Sequence, residues 1–219
     1  MSQSTFLDMP VLPPGVTRFW LIRHALVEQN ARLTLYGSLD VPLCPDTLVA
    51  QAPMYEALAR RLPRDARWIV TPLSRTHRTA QAIQEAGYGA ADWTVEPGFI
   101  EQSMGELHGL EYDTLHRHLR LPPEPFWPIN AAEAPAGGES MEQVCGRVAE
   151  TLDRLADAHD GHDIVAITHG GTIRAACAHA LGISAAASLR LSVQNLSVTI
   201  LERHPAGWRV VTINELPGI

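Results

Sequence analysis

Residues 163–171, DIVAITHGG, decide the fold, because a short apolar run ends there in a histidine and two glycines. The run at 163–168 is short, and turn-forming residues border it on both sides, which predicts a buried strand. The same pattern occurs at residues 17–23, TRFWLIR, and after Arg67 at residues 68–71. Polar sequence that can form a helix follows each run. Three buried strands that each lead into a helix predict βα units around a parallel sheet.

Two helices follow from the spacing of apolar residues between the strands. One is predicted over roughly residues 73–86 and stops at Gly87. The other is predicted to begin near Ser140, which fits an N-cap, and to end by Gly161. Its apolar face consists of Met141, Val144, Cys145, Val148, Leu152 and Leu155.

The C-terminal part of the chain predicts a hairpin, and residues 122–138 predict a loop. Residues 195–204 and 207–215 alternate in polarity around a Pro-Ala-Gly sequence, which favours an antiparallel pair that closes the sheet. Residues 122–138, PPEPFWPINAAEAPAGG, are too rich in proline for regular structure and too long for a tight turn. We interpret them as a loop or lid, where Phe126 and Trp127 either line a substrate entrance or pack beneath the loop.

The residues that follow the strands carry the candidate chemistry. In an open parallel sheet, ligands bind beyond the carboxyl ends of the strands. Arg23-His24 follows the first strand, Arg75 follows the second, and His169-Gly170-Gly171 follows the third. The arginine forks match phosphoryl oxygens, and the glycines at a helix start offer free backbone N–H groups to an anion. This pattern predicts a phosphate pocket built without a metal.

Within such a pocket, a neutral histidine is a competent nucleophile toward phosphorus if a carboxylic acid protonates the departing oxygen. Glu101, in the sequence FIEQSMGELHG, is the leading candidate for that acid, and Glu106 is its competitor.

These residues resemble the histidine phosphatase superfamily, whose fold is similar to that of phosphoglycerate mutase. The carrying segments are LIRHALVEQN, YGSLDVPL, TPLSRTHRTAQA, FIEQSMGELHG and AITHGGTIRA, which run in the family's order from residue 19 to 177. The resemblance implies a three-layer α/β/α fold with a mostly parallel central sheet and helices on both faces. It implies that His24 becomes phosphorylated and that Glu101 acts as acid and then base. It also implies that Arg23, Arg75 and His169 bind the phosphoryl group, with substrate contacts from Asn30, Gly37 and Gly170.

Three positions depart from the family pattern. Ala25 replaces the glycine of the Arg-His-Gly motif, which adds one methyl group and matters if the backbone angle there is unusual. Tyr36 stands before Gly37 where a small or amide side chain is common in the family. Leu107-His108 stands where many members have Trp-Glu. We expect the latter two to alter the substrate side of the site.

Composition excludes several classes of function. The 219 residues contain 17 basic groups against 24 acidic ones, and all 17 are arginines, since the chain has no lysine. A Walker phosphate loop, a Schiff-base enzyme and a kinase each need a lysine. The net charge of −7 and the lack of a basic run argue against nucleic-acid binding.

The cellular setting follows from the cysteines and from the N-terminal sequence. Cys44, Cys145 and Cys177 are far apart and odd in number, which is typical of reduced thiols in the cytoplasm. Residues 1–15 lack the pattern of a secretory signal, and no apolar stretch is long enough to cross a membrane. We therefore expect a cytoplasmic protein without membrane association.

We predict a single domain over residues 1–219, with 102–138 as a variable segment on the substrate side. The expected function is hydrolysis of small phosphorylated metabolites without metal or cofactor. The alternatives are a phosphoglycerate mutase-type phosphotransferase and a catalytically silent binding module, and a homodimer is left open. The segment holds only Arg117 and Arg120 as cations, which favours an uncharged or partly apolar alcohol portion. His108, His116 and His118 lack the spacing of metal ligands, and a solvated helix face is favoured for them.

Overall fold

The computed structural model describes residues 15–218, so nearly all of the N-terminal stretch considered above lies outside the described residues. Its central element is one six-stranded sheet with the spatial order β3-β2-β4-β1-β5-β6. The strands are β1 (Thr17–Arg23), β2 (Arg67–Val70), β3 (Trp93–Val95), β4 (Asp163–Thr168), β5 (Val198–His204) and β6 (Gly207–Glu215).

The pairing of the strands confirms a mostly parallel sheet. β4 pairs in parallel with both β1 and β2, and β2 pairs in parallel with β3. β5 is antiparallel to β1 and to β6, so the predicted C-terminal hairpin is confirmed. Strand β3 is the one strand within residues 15–218 that the sequence analysis did not predict.

The sheet is accompanied by eight α-helices within residues 15–218. They are α1 (Gln29–Arg32), α2 (Pro45–Ala50), α3 (Ala52–Arg61), α4 (Ser74–Ile83), α5 (Tyr112–Leu115), α6 (Met141–Ala158), α7 (Gly170–Leu181) and α8 (Ala185–Ser188). Shorter 3-10 turns occupy Pro97–Phe99 and Gly105–Leu107.

The two predicted helices are present with small differences at their ends. Helix α4 ends at Ile83, and a π-helical turn continues the chain over Gln84–Tyr88, where Gly87 has φ 116°. Ser140 caps α6 as predicted, since its side chain accepts a hydrogen bond from the N–H of Gln143, whose own side chain accepts the N–H of Ser140. This reciprocal capping box satisfies two backbone donors that a helix start leaves free.

Alternate side chains along each strand pack into two separate apolar cores, one on each face of the sheet. Phe19 and Leu21 of β1 pack with α6 and α7, whereas Ile22 of the same strand packs with α3 and α4. The alternation follows from the two-residue period of a strand. Helices therefore cover both faces, and the three-layer α/β/α architecture is confirmed.

Residues 102–138 form a region with a small core of their own. Residues 122–138 contain no helix or strand, as predicted for a loop. The buried side chains of Met104, Leu107, Leu115 and Ile129 pack against Leu35. Trp127 contacts both this small core and the core beside α6 and α7, which attaches the segment to the body of the protein.

No helix within residues 15–218 is long and apolar enough to cross a membrane.

Candidate active site

The register of β1 and β4 brings two histidines together at the carboxyl ends of these strands. Arg23 and Thr168 are the last two residues that pair between these strands. The N–H of His24 donates to the carbonyl of Thr168 at 2.9 Å. The next residue on each strand is a histidine. The ring centroids of His24 and His169 therefore lie 5.2 Å apart, edge to face.

The ring of His24 is held in the tautomer that a nucleophile requires. Its Nδ1 lies 2.7 Å from the carbonyl oxygen of Ala25, and a carbonyl can only accept, so Nδ1 carries the hydrogen. Nε2 is then left with a free lone pair. Burial lowers the pKa of His24 well below its usual range, and the positive charges of Arg75 and Arg23 lower it further. The imidazole is therefore neutral at pH 7.

His169 is the N-cap residue of α7 and is fully buried. Its Nε2 lies 2.9 Å from the hydroxyl of Thr71, which follows β2. Burial lowers the pKa of His169 well below its usual range, and Arg75 and His24 lower it further. Its Nδ1 is buried and has no hydrogen-bond partner among the described residues.

Arg75 and Arg23 are each anchored by backbone carbonyls rather than by carboxylates. Arg75 is fully buried and donates to the carbonyls of Leu39 at 2.6 Å and Gly37 at 2.8 Å. Arg23 donates to the carbonyl of Val193 at 2.6 Å. The Nε–H groups of both arginines are buried without a partner in residues 15–218. Both guanidinium groups therefore keep donor capacity for a ligand.

Buried polar atoms almost always have hydrogen-bond partners in native proteins. Three buried nitrogens without partners around one histidine therefore require an explanation. The Nε groups of Arg23 and Arg75 and the Nδ1 of His169 all belong to groups that influence the titration of His24 or touch its ring. A bound tetrahedral anion would supply acceptors to these groups. We define these residues, with Glu101, as the strand-end cluster.

Glu101 lies beside the N-terminus of α7. Its Oε1 accepts the N–H of Gln102 at 2.9 Å, and its Oε2 accepts the N–H of Gly171 at 3.1 Å. A Cβ at position 171 would overlap the carboxylate, so this glycine makes the close approach feasible. One of the two glycine N–H groups expected to face an anion is thus taken by the protein's own carboxylate. The competitor Glu106 is exposed on a 3-10 turn.

A bidentate ion pair braces the loop that carries Glu101, and the sequence reading missed it. Arg147 on α6 binds both oxygens of Glu139 at 2.9 and 3.0 Å. The same guanidinium donates to the carbonyls of Gly98 and Ile100 at 2.8 and 3.1 Å. Glu139 also accepts the N–H of Ser103 at 3.1 Å. The pair therefore grips the chain on both sides of residue 101.

Gly37, Gly170 and Asn30 occupy different positions relative to this cluster. Gly37 is buried, its carbonyl binds Arg75, and a Cβ there would overlap the chain at Gln102. Gly170 begins α7 directly after His169. Asn30 is exposed in α1, and no side-chain hydrogen bond joins it to the cluster in the described part of the chain.

The three departures from the family pattern are accommodated locally. Ala25 is buried and its backbone φ is not positive, so the methyl group causes no backbone strain. The ring of Tyr36 lies 5.4 Å from the guanidinium carbon of Arg75. His108 accepts the N–H of Met104 through Nε2 at 3.1 Å. Tyr36 and His108 thus contribute to the walls around Arg75 and Gly37.

Helix α7 contributes a third arginine that the sequence reading did not single out. Arg174 donates its Nε–H to the carbonyl of Leu191 at 2.9 Å, and its guanidinium lies 4.9 Å from the ring centre of Trp127. A Cβ on Gly170 would lie 3.1 Å from Arg174 Nη1 and 3.4 Å from Arg23 Nε. The two guanidinium groups therefore approach the same side of Gly170. Arg174 lies on α7 and is therefore not one of the two arginines counted within 102–138.

The two arginines inside 102–138 differ in their surroundings. Arg120 binds the buried carboxylate of Glu133 at 3.1 Å and the carbonyl of Ala134 at 3.1 Å. Glu133 also accepts the N–H of Leu121 at 2.9 Å, so this pair fixes the loop. Arg117 is exposed. Of the pair, Arg120 is thus committed to structure.

A mostly parallel α/β sheet whose strand ends present two neutral histidines, two arginines with free donors and a carboxylate defines a protein of phosphoryl-transfer type. The model of one family, described as the histidine phosphatase superfamily (branch 1), matches residues 19–216. The chain belongs to this superfamily. The predictions of the family and of a phosphoric monoester hydrolase within it are confirmed.

Individual relatives share the sequence along much of the chain. Phosphoglycerate mutase-like protein 4 of Arabidopsis thaliana is 30% identical over 161 residues, which cover 70% of this chain and 66% of that protein. A metal-independent phosphoserine phosphatase of the same plant is 27% identical over 197 residues, or 88% of this chain and 79% of that protein. A mycobacterial glucosyl-3-phosphoglycerate phosphatase has a similar fold, with a TM-score of 0.75, 24% identity and coverage of 91% and 99% of the two chains.

Proposed function

We propose that the protein hydrolyses small phosphate monoesters through a phosphohistidine on His24. The observation that carries this proposal is that buried arginine N–H groups without partners accompany a neutral imidazole whose Nδ1–H is fixed by the carbonyl of Ala25. Such a site binds a phosphoryl group and presents a lone pair to its phosphorus.

In the first half-reaction, His24 Nε2 attacks phosphorus while Arg23, Arg75 and His169 stabilise the charge on the non-bridging oxygens. The bond between phosphorus and the ester oxygen breaks, and Glu101 donates a proton to the departing alcohol. Glu101 is suited to this task because two backbone N–H groups fix its carboxyl beside the start of α7.

In the second half-reaction, the Glu101 carboxylate accepts a proton from a water molecule whose oxygen attacks the phosphohistidine. The phosphorus–nitrogen bond breaks, and inorganic phosphate leaves with His24 neutral and Glu101 protonated again. The same carboxyl therefore serves as acid and then as base, and both groups return to their starting states.

We place water, rather than a second substrate, as the phosphoryl acceptor. A mutase must hold an additional phosphate and exclude water, which requires several free cations around the pocket. Within 102–138, Arg120 is committed to Glu133, and Arg117 is exposed. We therefore expect inorganic phosphate from monoesters and little interconversion of 3- and 2-phosphoglycerate, even with bisphosphoglycerate as primer. Fast interconversion with negligible phosphate release would favour the mutase.

The proposed partner is a small phosphorylated metabolite, and the proposed location is the cytoplasm. Three free cysteines among the described residues, at positions 44, 145 and 177, fit a reducing compartment. Two arginines and the start of α7 already provide the positive field that a metal would otherwise supply. Phosphate release should therefore persist in EDTA, and loss of activity restored by one added metal would contradict this part of the proposal.

The test of the nucleophile is His24→Ala, with His162→Ala as a matched control. His162 is exposed at the other end of β4, beside Asp163. Brief exposure to labelled substrate should leave an acid-labile, base-stable phosphate on the wild-type protein and on the His162 variant. His24→Ala should show neither labelling nor turnover. A near-normal rate in that variant would disprove the mechanism.

A further inference from the structure

Arg174 carries donors that the fold does not use. Its Nε–H is bonded to Leu191, whereas Nη1 and Nη2 have no hydrogen-bond partner within residues 15–218. Neither of these two nitrogens is among the fully buried atoms that lack partners, so solvent and ligands can reach them. A half-buried arginine whose Nη groups have no partner can donate hydrogen bonds to an anionic group of a ligand.

The position of Arg174 places these donors beside the strand-end cluster. Its Nη1 and the Nε of Arg23 both approach the surface of Gly170. Burial lowers the pKa of Arg174, the charge of Arg23 lowers it further, and the charge of Glu101 raises it. Arg174 is therefore within electrostatic reach of both the phosphoryl-binding side and the acid that faces the leaving group.

We propose that Arg174 binds a carboxylate on the alcohol portion of the substrate, so that the preferred substrates are carboxylated phosphate monoesters. This inference rests on the proposed function. It replaces the expectation of an uncharged alcohol portion, because that expectation counts cations only within 102–138.

The chemistry of the open donor pair favours a carboxylate. With Nε occupied, Nη1 and Nη2 form an end-on fork whose spacing matches the two oxygens of a carboxylate. The guanidinium carbon of Arg174 lies over the ring of Trp127, which restricts the position of the side chain. Arg23 and Arg75 already match the two charges of a phosphate dianion. A single further guanidinium near Glu101 suits a monoanion better than a second phosphate.

The short separation of the two arginines restricts the size of the substrate. Arg174 Nη1 and Arg23 Nε lie 3.1 and 3.4 Å from the same point, the Cβ position of Gly170, so a phosphoryl group and a carboxylate bound to the two arginines are close neighbours. We expect two or three carbons between the ester oxygen and the carboxylate carbon. A longer carbon chain would place the carboxylate beyond Nη1 and Nη2 of Arg174.

The experiment compares 3-phosphoglycerate with glycerol 3-phosphate, which replaces the carboxylate by a hydroxymethyl group. Phosphate release is measured as kcat/KM for the wild-type protein and for Arg174→Gln. We expect the wild type to prefer the carboxylated compound by roughly 10- to 100-fold, the usual contribution of a charge-assisted pair. Arg174→Gln should bring the ratio close to one and leave hydrolysis of glycerol 3-phosphate intact, which also shows that the variant folds.

Arg117→Gln is the matched comparison, because Arg117 is the other arginine of the substrate side without a structural partner in the described residues. A substrate ratio that follows position 117 and ignores position 174 would overturn the inference. An unchanged ratio in Arg174→Gln would do the same and would leave the phosphatase proposal standing.

A binding measurement separates this inference from the proposed function. If neither compound releases phosphate, the proposed function fails, and calorimetric titration of the wild type and Arg174→Gln with the same two compounds decides the inference. Tighter binding of 3-phosphoglycerate that is lost in the variant supports the carboxylate site. Equal binding of both compounds refutes it.

Discussion

The strand-end cluster and the 102–138 segment are built on different physical principles. In the cluster, strand register places the two histidines, and backbone groups hold the charged side chains, as the carbonyls of Gly37 and Leu39 do for Arg75. The segment is held by its own small apolar core and by single ion pairs such as that of Glu133 with Arg120. The cluster is thus fixed by the sheet and the loops around it, while the segment, which we expect to meet the variable portion of the substrate, is held by its own small core and a few polar contacts.

This difference implies that substitutions in the two regions should affect different quantities. Changes in the cluster should reduce the rate of the chemical step, because the proposed mechanism places those groups against the reacting atoms. Changes in the segment should alter substrate choice or local stability and leave the chemistry of simple esters largely intact. Four substitutions or conditions test this division.

The largest effect is expected for Glu101→Gln. Turnover of alkyl phosphates should fall by roughly 10²- to 10⁴-fold, the usual range of general acid catalysis. Aryl phosphates should lose less, because a good leaving group needs little protonation. Initial rates on ethyl and 4-nitrophenyl phosphate, with Glu106→Gln as control, measure the difference. Equal losses on both esters would assign the acid to another residue.

The next effect concerns the brace behind Glu101. Arg147→Met should lower turnover of alkyl phosphates by roughly 10- to 100-fold, since a small displacement of a catalytic group is costly. Because Arg147 acts through Glu101, the loss should be smaller on aryl phosphates, and KM should change little. Glu139→Gln should show the same pattern more weakly. A uniform loss on both ester classes would indicate a general structural defect instead.

A change inside the segment should affect stability more than chemistry. Glu133→Gln removes the charge from a buried acceptor of Arg120 and the Leu121 N–H, which should cost about 1–2 kcal/mol. Denaturant unfolding measures the loss. Hydrolysis of 4-nitrophenyl phosphate at saturation should stay within about threefold, since the group lies outside the reacting centre. A large loss of kcat would show that the segment participates in the chemical step.

The last prediction is the pH dependence of stability that the two buried histidines cause. Burial lowers the pKa of His24 and of His169 below the ordinary value of 6.5, so the unfolded chain binds protons more readily than the folded one. Their stabilising contribution is therefore complete above pH 6.5 and is lost as the pH falls below it. Between pH 7.5 and 5.5, each histidine that stays neutral in the folded protein should account for about 1.4 kcal/mol.

The measurement is the free energy of unfolding at both pH values for the wild type and for a variant with both histidines replaced by asparagine. Other titrating groups are common to the two proteins, so the difference between them isolates this pair. An identical pH dependence in both proteins would show that the two imidazoles bind protons equally well in the folded and the unfolded state.

Much of the sheet was predictable from sequence, because its strands are short apolar runs with clear boundaries. β1 and β4 coincide with residues 17–23 and 163–168, and the Ser140 cap fixes the start of α6. β3 escaped prediction because it has three residues, pairs only with β2 and is partly exposed. Local patterns carry little information about so short an edge strand.

The candidate site also contains some residues that the sequence could place and others that it could not. His24 and His169 could be placed together, since both directly follow buried strands. Arg174 and Arg147 could not be assigned, because each occupies an ordinary position along a helix and its role depends on distant loops. The signal that was available for Arg147 is Glu139, a carboxylate immediately before the predicted cap of its helix. The core of 102–138 includes Leu35, a contact that no local pattern predicts.

The pairing of β1 with β4 also makes catalysis a sensitive gauge of correct refolding. The smallest slip that keeps every side chain on its own face is two residues, which would move one histidine by about 6.6 Å along its strand. That shift exceeds the 5.2 Å between the two rings. A refolded sample with slipped strands would retain its circular dichroism and lose turnover. Recovered activity therefore counts the molecules in which two distant parts of the chain have found their proper alignment.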